Sequence, residues 1–534
     1  MIFIPVYLIM VPILAAIIIY LFKPAKMKYV GFAGQLIITI LAILYYNHFS
    51  GDFEATTFVF GGWNERIGIS LSNDPISMSF IFLTLFTWWM IMIYLFEKGK
   101  MNHTFIFFFL FLEGVFFGLL QTNDLFNMFV FLELTTLLVT VLIAFKKAGD
   151  SFRAALYYIL LNTAGVLVFL IGVILIYNVF GTININVITE LMPLYSDEII
   201  IKFAYVLMMS AIAVKSALFP VFTWLPKAHG VAQSAISALL SGLIVKGGLY
   251  LFIRINEMYS GANYNHETFF FAVGALTAIV GVMFALSQKD MKQVLAYHTI
   301  SQIGIMMMGL SSSESQVFYG GLLHIFNHAL FKSLLFLGAG IIIKVYRTKK
   351  LTEIRGVMRT MPWVSVFMII GMLSITGAPL FNGFISKSII KYGIQDSGIK
   401  YWILFFVNVG TATSFIKMSQ IFFGPKSLSY PMSKNTQNFA LMAFGFMCVL
   451  LGNLYIPINQ GFFGIDLSYI HIFEFAKFFD YFLTLSLGFI FYKFVISKDY
   501  RPVPDIRNFK MSFETANILF LGLLVAMSVY FVWM

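Results

Sequence analysis

The sequence has little charge, a single cysteine and no long polar stretch. Only 11% of its 534 residues are Asp, Glu, Lys or Arg, while 60% are apolar or aromatic. That is too little charge for a soluble globular enzyme of this length, and too much apolar residue for a disordered chain. The formal net charge of +11 has no polar domain to sit on, which excludes a nucleic-acid binder. Cys448 stands alone, so disulfides within the chain, iron–sulfur ligation and thiolate metal sites are excluded. The longest polar connection, Ser50 to Asn73, has 24 residues, too few for an ATPase, a flavin or a nucleotide-binding fold. Redox chemistry, if any, belongs to a partner, and work comes from an ion gradient or from neighbouring subunits.

What the sequence has instead is hydrocarbon-length apolar runs. Mean hydropathy is +0.88, and roughly 320 apolar residues at about 20 per span predict about 16 transmembrane helices. Sixteen runs can be read between residues 3 and 533. The first is followed by Lys23, Lys26 and Lys28 with no basic residue ahead of it, the reverse of a cleavable signal peptide, so it is expected to be retained. Of the 35 Lys and Arg residues, 24 fall in connections after odd-numbered runs and 4 in connections after even-numbered ones. The positive-inside rule then predicts both termini outside. Residues 50–73 read as a short outside hairpin followed by a helix start at Asp74-Pro75.

Charge at bilayer depth is costly, so each instance is a functional candidate. Glu113 and Glu133, in runs 4 and 5, are the acids well inside apolar sequence. The deep bases are Lys215 in run 7, Lys246 in run 8, Lys332 in run 11, Lys387 in run 12 and Lys417 in run 13. His324, His328 and Lys332 recur at i, i+4 and i+8, which stacks them on one helix face where a proton can be handed along. Other readings stand beside these. Lys417 can snorkel to an interface; Glu133 and Lys215 can be a buried pair that holds helices together; His298 in run 10 can be packing or relay. His324 and His328 have the spacing of two metal ligands but lack a zincin glutamate and an evident third ligand. His48, His103, His229, His266 and His471 fall at ends or in loops and are not candidates.

Proline points to the same runs. Pro220 and Pro226 interrupt the end of run 7, and Pro379 breaks run 12 within Gly377-Ala378-Pro379. These runs are five apart, and because five is odd they cross in opposite directions, so runs 4 to 8 and 9 to 13 can form an inverted repeat with a broken helix at corresponding places. Lys215 precedes the first break and Lys387 follows the second.

These residues carry a resemblance. The stretches Asn123 to Glu133, Lys215 to Pro220 with Thr223 to Ala228, Ser237 to Lys246, Ala296 to Gln302, His324 to Lys332 and Gly377 to Lys387 occur in one order over residues 50–430. In them the chain resembles the antiporter-like family shared by Mrp-type Na+/H+ antiporters, the membrane arm of respiratory complex I and energy-converting hydrogenases. The Gly62-Trp63 hairpin and the Asp124-Leu-Phe-Asn127 run most resemble the D-type Mrp subunit. The resemblance implies an all-α polytopic fold of the cell (inner) membrane, with a 14-helix core and two C-terminal helices. The expected divisions are residues 1–103 with the hairpin, half-channels at 104–257 and 266–424, and accessory helices at 437–534. It further implies that Glu133 and Lys215 interact, that Lys246 is the next relay, that His324, His328 and Lys332 form the central link, and that Lys387 is the terminal carrier. Glu113, His298 and Lys417 are secondary candidates. No cofactor or catalytic role is expected; the expected partners are other membrane subunits, the lipid bilayer, protons and Na+, without nucleic acid. Three departures stand out: Gln233 replaces an expected proline, Glu113 is an extra acid, and runs 15 and 16 exceed the usual count.

The leading expectation is therefore an ion-translocating subunit of a multisubunit cation/proton antiporter. The same module in a redox-driven complex is the second. A solitary transporter of an organic solute is the third, disfavoured because the deep polar residues are mostly titratable and dispersed.

Overall fold

The computed structural model describes residues 3–23, 26–49, 55–96, 102–146, 148–262, 264–394, 398–425, 434–465, 467 and 474–533. Lys98, Lys100, Lys147, Lys426, His471 and the first residues of the 50–73 connection lie outside the described residues.

Apolar runs become helices because a bilayer leaves each backbone N–H and C=O to be satisfied within its own segment. Helices α1 (Ile4–Phe22) and α2 (Met27–Phe49) precede an antiparallel hairpin in which β1 (Thr56–Val59) pairs with β2 (Ser70–Asn73), Thr57 opposite Ser72. There follow α3 (Pro75–Leu95), α4 (His103–Gln121), α5 (Leu125–Ala144), α6 (Gly149–Phe180) and the short α7 (Ile185–Tyr195). The middle of the chain holds α8 (Ile199–Lys215), α9 (Trp224–Val231), α10 (Ser234–Leu239), α11 (Val245–Met258), α12 (His266–Ser287), α13 (Met291–Leu310) and α14 (Ser315–Tyr346). The turn α15 (Val357–Thr360) leads to α16 (Pro362–Thr376), α17 (Asn382–Gly393), α18 (Gly398–Ser419), α19 (Asn435–Asn453) and α20 (Tyr455–Phe463). The chain closes with α21 (Phe475–Phe491), α22 (Pro502–Asn508) and α23 (Phe513–Ser528).

Short polar side chains set several helix starts by accepting from otherwise unpaired first-turn N–H groups. Asp74 accepts from Ser77 N–H at 2.8 Å, Asp124 from Asn127 at 2.7 Å and Asp290 from Lys292 at 2.7 Å. Among the described residues, 13 helices are long and apolar enough to cross a membrane, which makes this a multi-pass membrane protein. The sequence expectation was about 16, and the difference has a physical cause. The run at 199–222 stops being helical at Lys215, the run at 362–390 is split between α16 and α17, and α13 is diluted by Lys292, Gln293, His298 and Gln302.

At the first split, Phe219 N–H donates to Thr277 Oγ1 of α12 at 2.9 Å, and Trp224 Nε1 donates to the Val214 carbonyl at 2.9 Å. The backbone groups that α8 can no longer satisfy are thus met by neighbours. At the second split, Gly377 follows α16 with φ +78°, and Gly383 passes so close to Ser374 that a Cβ would collide with its carbonyl oxygen. Helix α14 is central, packing on α10, α13, α16, α17 and α19. By contrast α6 leaves Leu156, Leu160, Leu167, Ile171 and Ile174 exposed, an apolar face suited to lipid or another subunit.

Candidate ion-translocation site

A buried ammonium needs oxygen or nitrogen acceptors in place of water, and the deep lysines find them on neighbouring helices and at helix ends. At the end of α8, Lys215 Nζ donates to Thr136 Oγ1 at 2.8 Å and reaches the Leu132 carbonyl at 3.4 Å, both on α5. Glu133, on the same turn of α5, turns its carboxylate instead to α6, where Thr163 Oγ1 donates to Oε1 at 2.9 Å. Lys215 therefore contacts the turn of α5 that carries Glu133 without forming a direct ion pair with it among the described residues.

Between α10 and α11, Leu240–Ile244 form a single π turn in which the Val245 N–H bonds five residues back, to Leu240. Such turns concentrate at functional positions because they re-aim the residues beside them. Here the next residue but one is Lys246, fully buried, whose Nζ donates to the Ser241 carbonyl and lies 2.7 Å from Nδ1 of His328 on α14. One turn away on α14, His324 has its ring centroid 6.4 Å from that of His328. Its Nδ1 lies 2.9 Å from Ser386 Oγ on α17 and its Nε2 3.1 Å from Gln302 Oε1 on α13. The neighbouring residue on α17 is Lys387, whose Nζ donates to the Ile375 carbonyl at 2.7 Å in the last turn of α16. A helix C-terminus carries partial negative charge, so the break after Thr376 leaves a seat for this cation. Lys332 completes the stripe on α14 and donates to the Leu295 carbonyl at 2.5 Å.

The secondary candidates separate from this file. Glu113 is buried between α4 and α2, accepting from Gln35 Nε2, with its Oε1 unpartnered among the described residues. Lys417 is half-buried: its Nζ donates to the carbonyls of Ala285, Leu286 and Gln288 at 3.1, 2.7 and 2.8 Å and so closes the end of α12. His298 is buried with its ring against Phe415, centroids 4.9 Å apart, and neither ring nitrogen has a hydrogen-bond partner among the described residues. It lies one turn from Gln302 on α13. The two-ligand reading of His324 and His328 meets rings already engaged by Ser386, Gln302 and Lys246. Among the described residues no group of three or more His, Cys, Asp or Glu is placed to hold a metal ion.

His229, set aside in the sequence because it follows a loop, is fully buried in α9 and stacks on Phe336 of α14 with centroids 4.6 Å apart. Lys332 Nζ lies 5.6 Å from the centroid of the same ring. Three lysines fix α9 by donating to its last carbonyls: Lys349 to Gly230 at 2.7 Å, Lys146 to Val231 at 2.7 Å and Lys292 to Ala232 at 2.7 Å. Sequence reasoning also passed over Thr136, Thr163, Gln302 and Ser386, the neutral groups that join the charges. Polar uncharged residues inside apolar runs were the available signal.

The comparisons with known proteins bear on this arrangement. Residues 122–416, which hold every member of the file, match the model of the NADH:quinone oxidoreductase/Mrp antiporter transmembrane family. The chain belongs to that family. The D-type subunit of the Na+/H+ antiporter of Alkalihalophilus pseudofirmus is 30% identical over 369 residues, covering 67% of this chain and 73% of the relative. Among solved structures, a chain of the archaeal membrane-bound sulfane sulfur reductase, a respiratory membrane complex, has the same fold. Its TM-score is 0.81 at 24% identity, covering 91% of this chain and 99% of that one. A chain of the Mrp complex from a Dietzia species gives 0.78 at 21% identity, covering 95% and 99%. That coverage exceeds the part of the chain preceding α21, so the fold likeness extends into the C-terminal helices. The resemblance read from the sequence, including its leaning to the D-type Mrp protein, is borne out by the family match and the named relative.

Proposed function

We propose that the chain is the proton-translocating subunit of a multisubunit cation/proton antiporter, with no catalytic chemistry of its own. The observation that carries this is the file of buried bases across three helices: Lys246 touches His328, His324 follows one turn on, and His324 contacts Ser386, the chain neighbour of Lys387. Lysine and histidine are the side chains that burial and neighbours can bring to proton exchange near neutrality. On this reading a proton passes from Lys246 to His328 directly and onward to His324 and Lys387 without a free charge crossing hydrocarbon. Glu133, beside Lys215, would set the charge state at the start of the file, and Lys387 would be the terminal carrier.

The same reading takes the chain as about 16 spans in the cell membrane with both termini outside. Helices α4 to α11 and α12 to α18 would be inverted halves, residues 104–257 and 266–424, with α8–α9 and α16–α17 as broken spans at corresponding positions. Residues 1–103 and 437–534 would flank them. Other membrane subunits are the expected partners and Na+ the counter-ion, in keeping with the named relative. The deciding experiment is Na+-driven proton movement, read by a pH-sensitive dye in everted vesicles carrying the assembled complex, compared with Lys246→Met and Lys387→Ala. Wild-type rates in both variants would overturn the proposal. A second reading, the same module driven by a redox partner, draws support from the fold likeness to the sulfur reductase chain. Co-purification with a quinone- or hydrogen-reactive protein would decide for it.

A further inference from the structure

Helix α21 lies beyond the residues matched by the family model, yet it packs against α18 in the second half. Between α17, α18 and α21 there is a cleft of about 410 Å³, and Lys387 is one of the residues lining it. The walls are polar for this depth. Ser388 comes from α17, Asn408 from α18, and Asp480 and Thr484 from α21. Asn408 Oδ1 is buried in this wall and has no hydrogen-bond partner among the described residues. One turn from Lys387 on α17, Lys391 forms an ion pair with Asp480 across the cleft. Deeper in, the Tyr481 hydroxyl lies 3.2 Å from Thr376 Oγ1, beside the Gly377 break where Lys387 is seated.

We propose that this cleft is the outer ion vestibule of Lys387 and that Lys391 and Asp480 are its gate, so that α21 supplies one wall of the ion path. The inference rests on the reading of Lys387 as the terminal carrier. A lysine can release a proton only to an acceptor that can carry it away. In the cleft the Nζ–H bond breaks as an O–H bond to water forms, and the neutral amine is recharged from the side of Ser386 and His324. The Lys391 and Asp480 side chains are 25% and 33% exposed. An ion pair this close to water opens far more readily than one sealed in protein, which suits a gate that works at every turnover. The pair also keeps a mobile cation from meeting Asp480 until Lys391 moves aside. The charge bias of the loops puts this end of α17 on the outer face.

The test uses the full chain in its assembled complex in sealed vesicles, with Cys448→Ser as background and Ser388→Cys or Thr484→Cys added singly. The probe is a cationic, membrane-impermeant methanethiosulfonate applied to one face at a time. Both cysteines should react from the outer face. Asp480→Asn should speed the reaction at residue 388 by up to about fivefold, the factor expected for losing one partly exposed ion pair. The exchanged pair Lys391→Asp with Asp480→Lys should bring the rate back. Ser388→Cys is nearly isosteric, and Thr484→Cys gives an independent reading if it alone is lost to misfolding. Labelling only from the inner face, no labelling of either cysteine, or a rate indifferent to Asp480→Asn would overturn the proposal. Normal outer labelling combined with wild-type transport by Lys387→Ala would instead remove the carrier reading and leave the cleft standing.

Discussion

Lys246 of α11 and His328 of α14 meet directly, Nζ to Nδ1 at 2.7 Å, with both side chains fully buried. Two bases at this distance attract only when one of them offers a hydrogen to the lone pair of the other. If both were protonated the contact would turn repulsive in a medium that screens poorly. On the proposed function, the pair would hold one proton, and loading it from one side would release a proton on the other.

His328→Ala leaves Lys246 Nζ its contact with the Ser241 carbonyl and takes away the acceptor across the helix interface. Transport in vesicles should fall at least about tenfold, since a relay step made harder by one pKa unit costs about 1.4 kcal/mol. Assembly, read by co-purification of partner subunits, should persist. Replacing His324 and His328 together should stop transport altogether. A wild-type rate in the double variant would remove the stripe on α14 from the ion path.

Lys387→Ala should abolish transport with the complex intact, because the α16 C-terminus would then face no cation. Lys387→Arg should fail as well: the guanidinium can occupy the Ile375 carbonyl but does not give up its proton at working pH. Recovery of transport by the arginine variant would show that charge at this position suffices and proton release is not needed.

How these sites were legible in the sequence differs from residue to residue. Lys246, Lys332 and Lys387 stood out because a charge inside an apolar run has no ordinary explanation, and Pro220 and Pro379 marked the splits because proline cannot continue a helix. The π turn before Lys246 had no such mark, since its residues, Leu240 to Ile244, are ordinary helix formers. His229 was hidden by position: hydropathy read α9 as a loop, whereas its carbonyls are tied by Lys146, Lys292 and Lys349 and its ring is packed on Phe336. For Lys417 the sequence left two readings open. A lysine near a helix end usually reaches water, and only the geometry reveals the end of α12 within its reach.

Lys215 reaches Thr136 on the turn of α5 that carries Glu133, while the Glu133 carboxylate turns to Thr163 on α6; the two form no direct ion pair among the described residues, so their coupling acts through space. Single neutralisation of either should reduce transport strongly, since the remaining charge loses its counterpart in a low-dielectric site. The double variant Glu133→Gln with Lys215→Met separates mechanism from scaffolding. If the pair only holds helices together, the double variant regains transport; if it sets the charge of the file, transport stays low. Transport rates of all four proteins at equal complex abundance give the answer. Thr136→Val should produce a smaller loss, because it removes one of the two contacts of Lys215 and leaves the charge in place.

Asp74 combines two tasks at the start of α3, capping Ser77 and receiving both guanidinium nitrogens of Arg254 on α11, at 2.6 and 2.7 Å. Burial alone would push its carboxyl up, but Arg254 and the Ser77 hydrogen bonds outweigh it and hold the group below the usual carboxylate range. A folded-state value below the unfolded one means the bound proton favours unfolding. The stabilisation is therefore complete above the unfolded pKa of about 3.9 and disappears as pH falls through the lower, folded value. Asp74→Ala should cost about 2 kcal/mol near neutrality, from a lost cap and from the loss of one of the two carboxylates that pair with the largely buried Arg254, Glu257 remaining at 2.7 Å. Asp74→Asn, which can still cap, should cost less. Thermal unfolding of the purified complex in detergent should show a lower Tm for Asp74→Ala at pH 7. The gap between it and the natural sequence should narrow as pH is taken below about 4. A gap that widened on acidification would reverse the sign assigned here and remove Arg254 as the group that holds the carboxylate ionised.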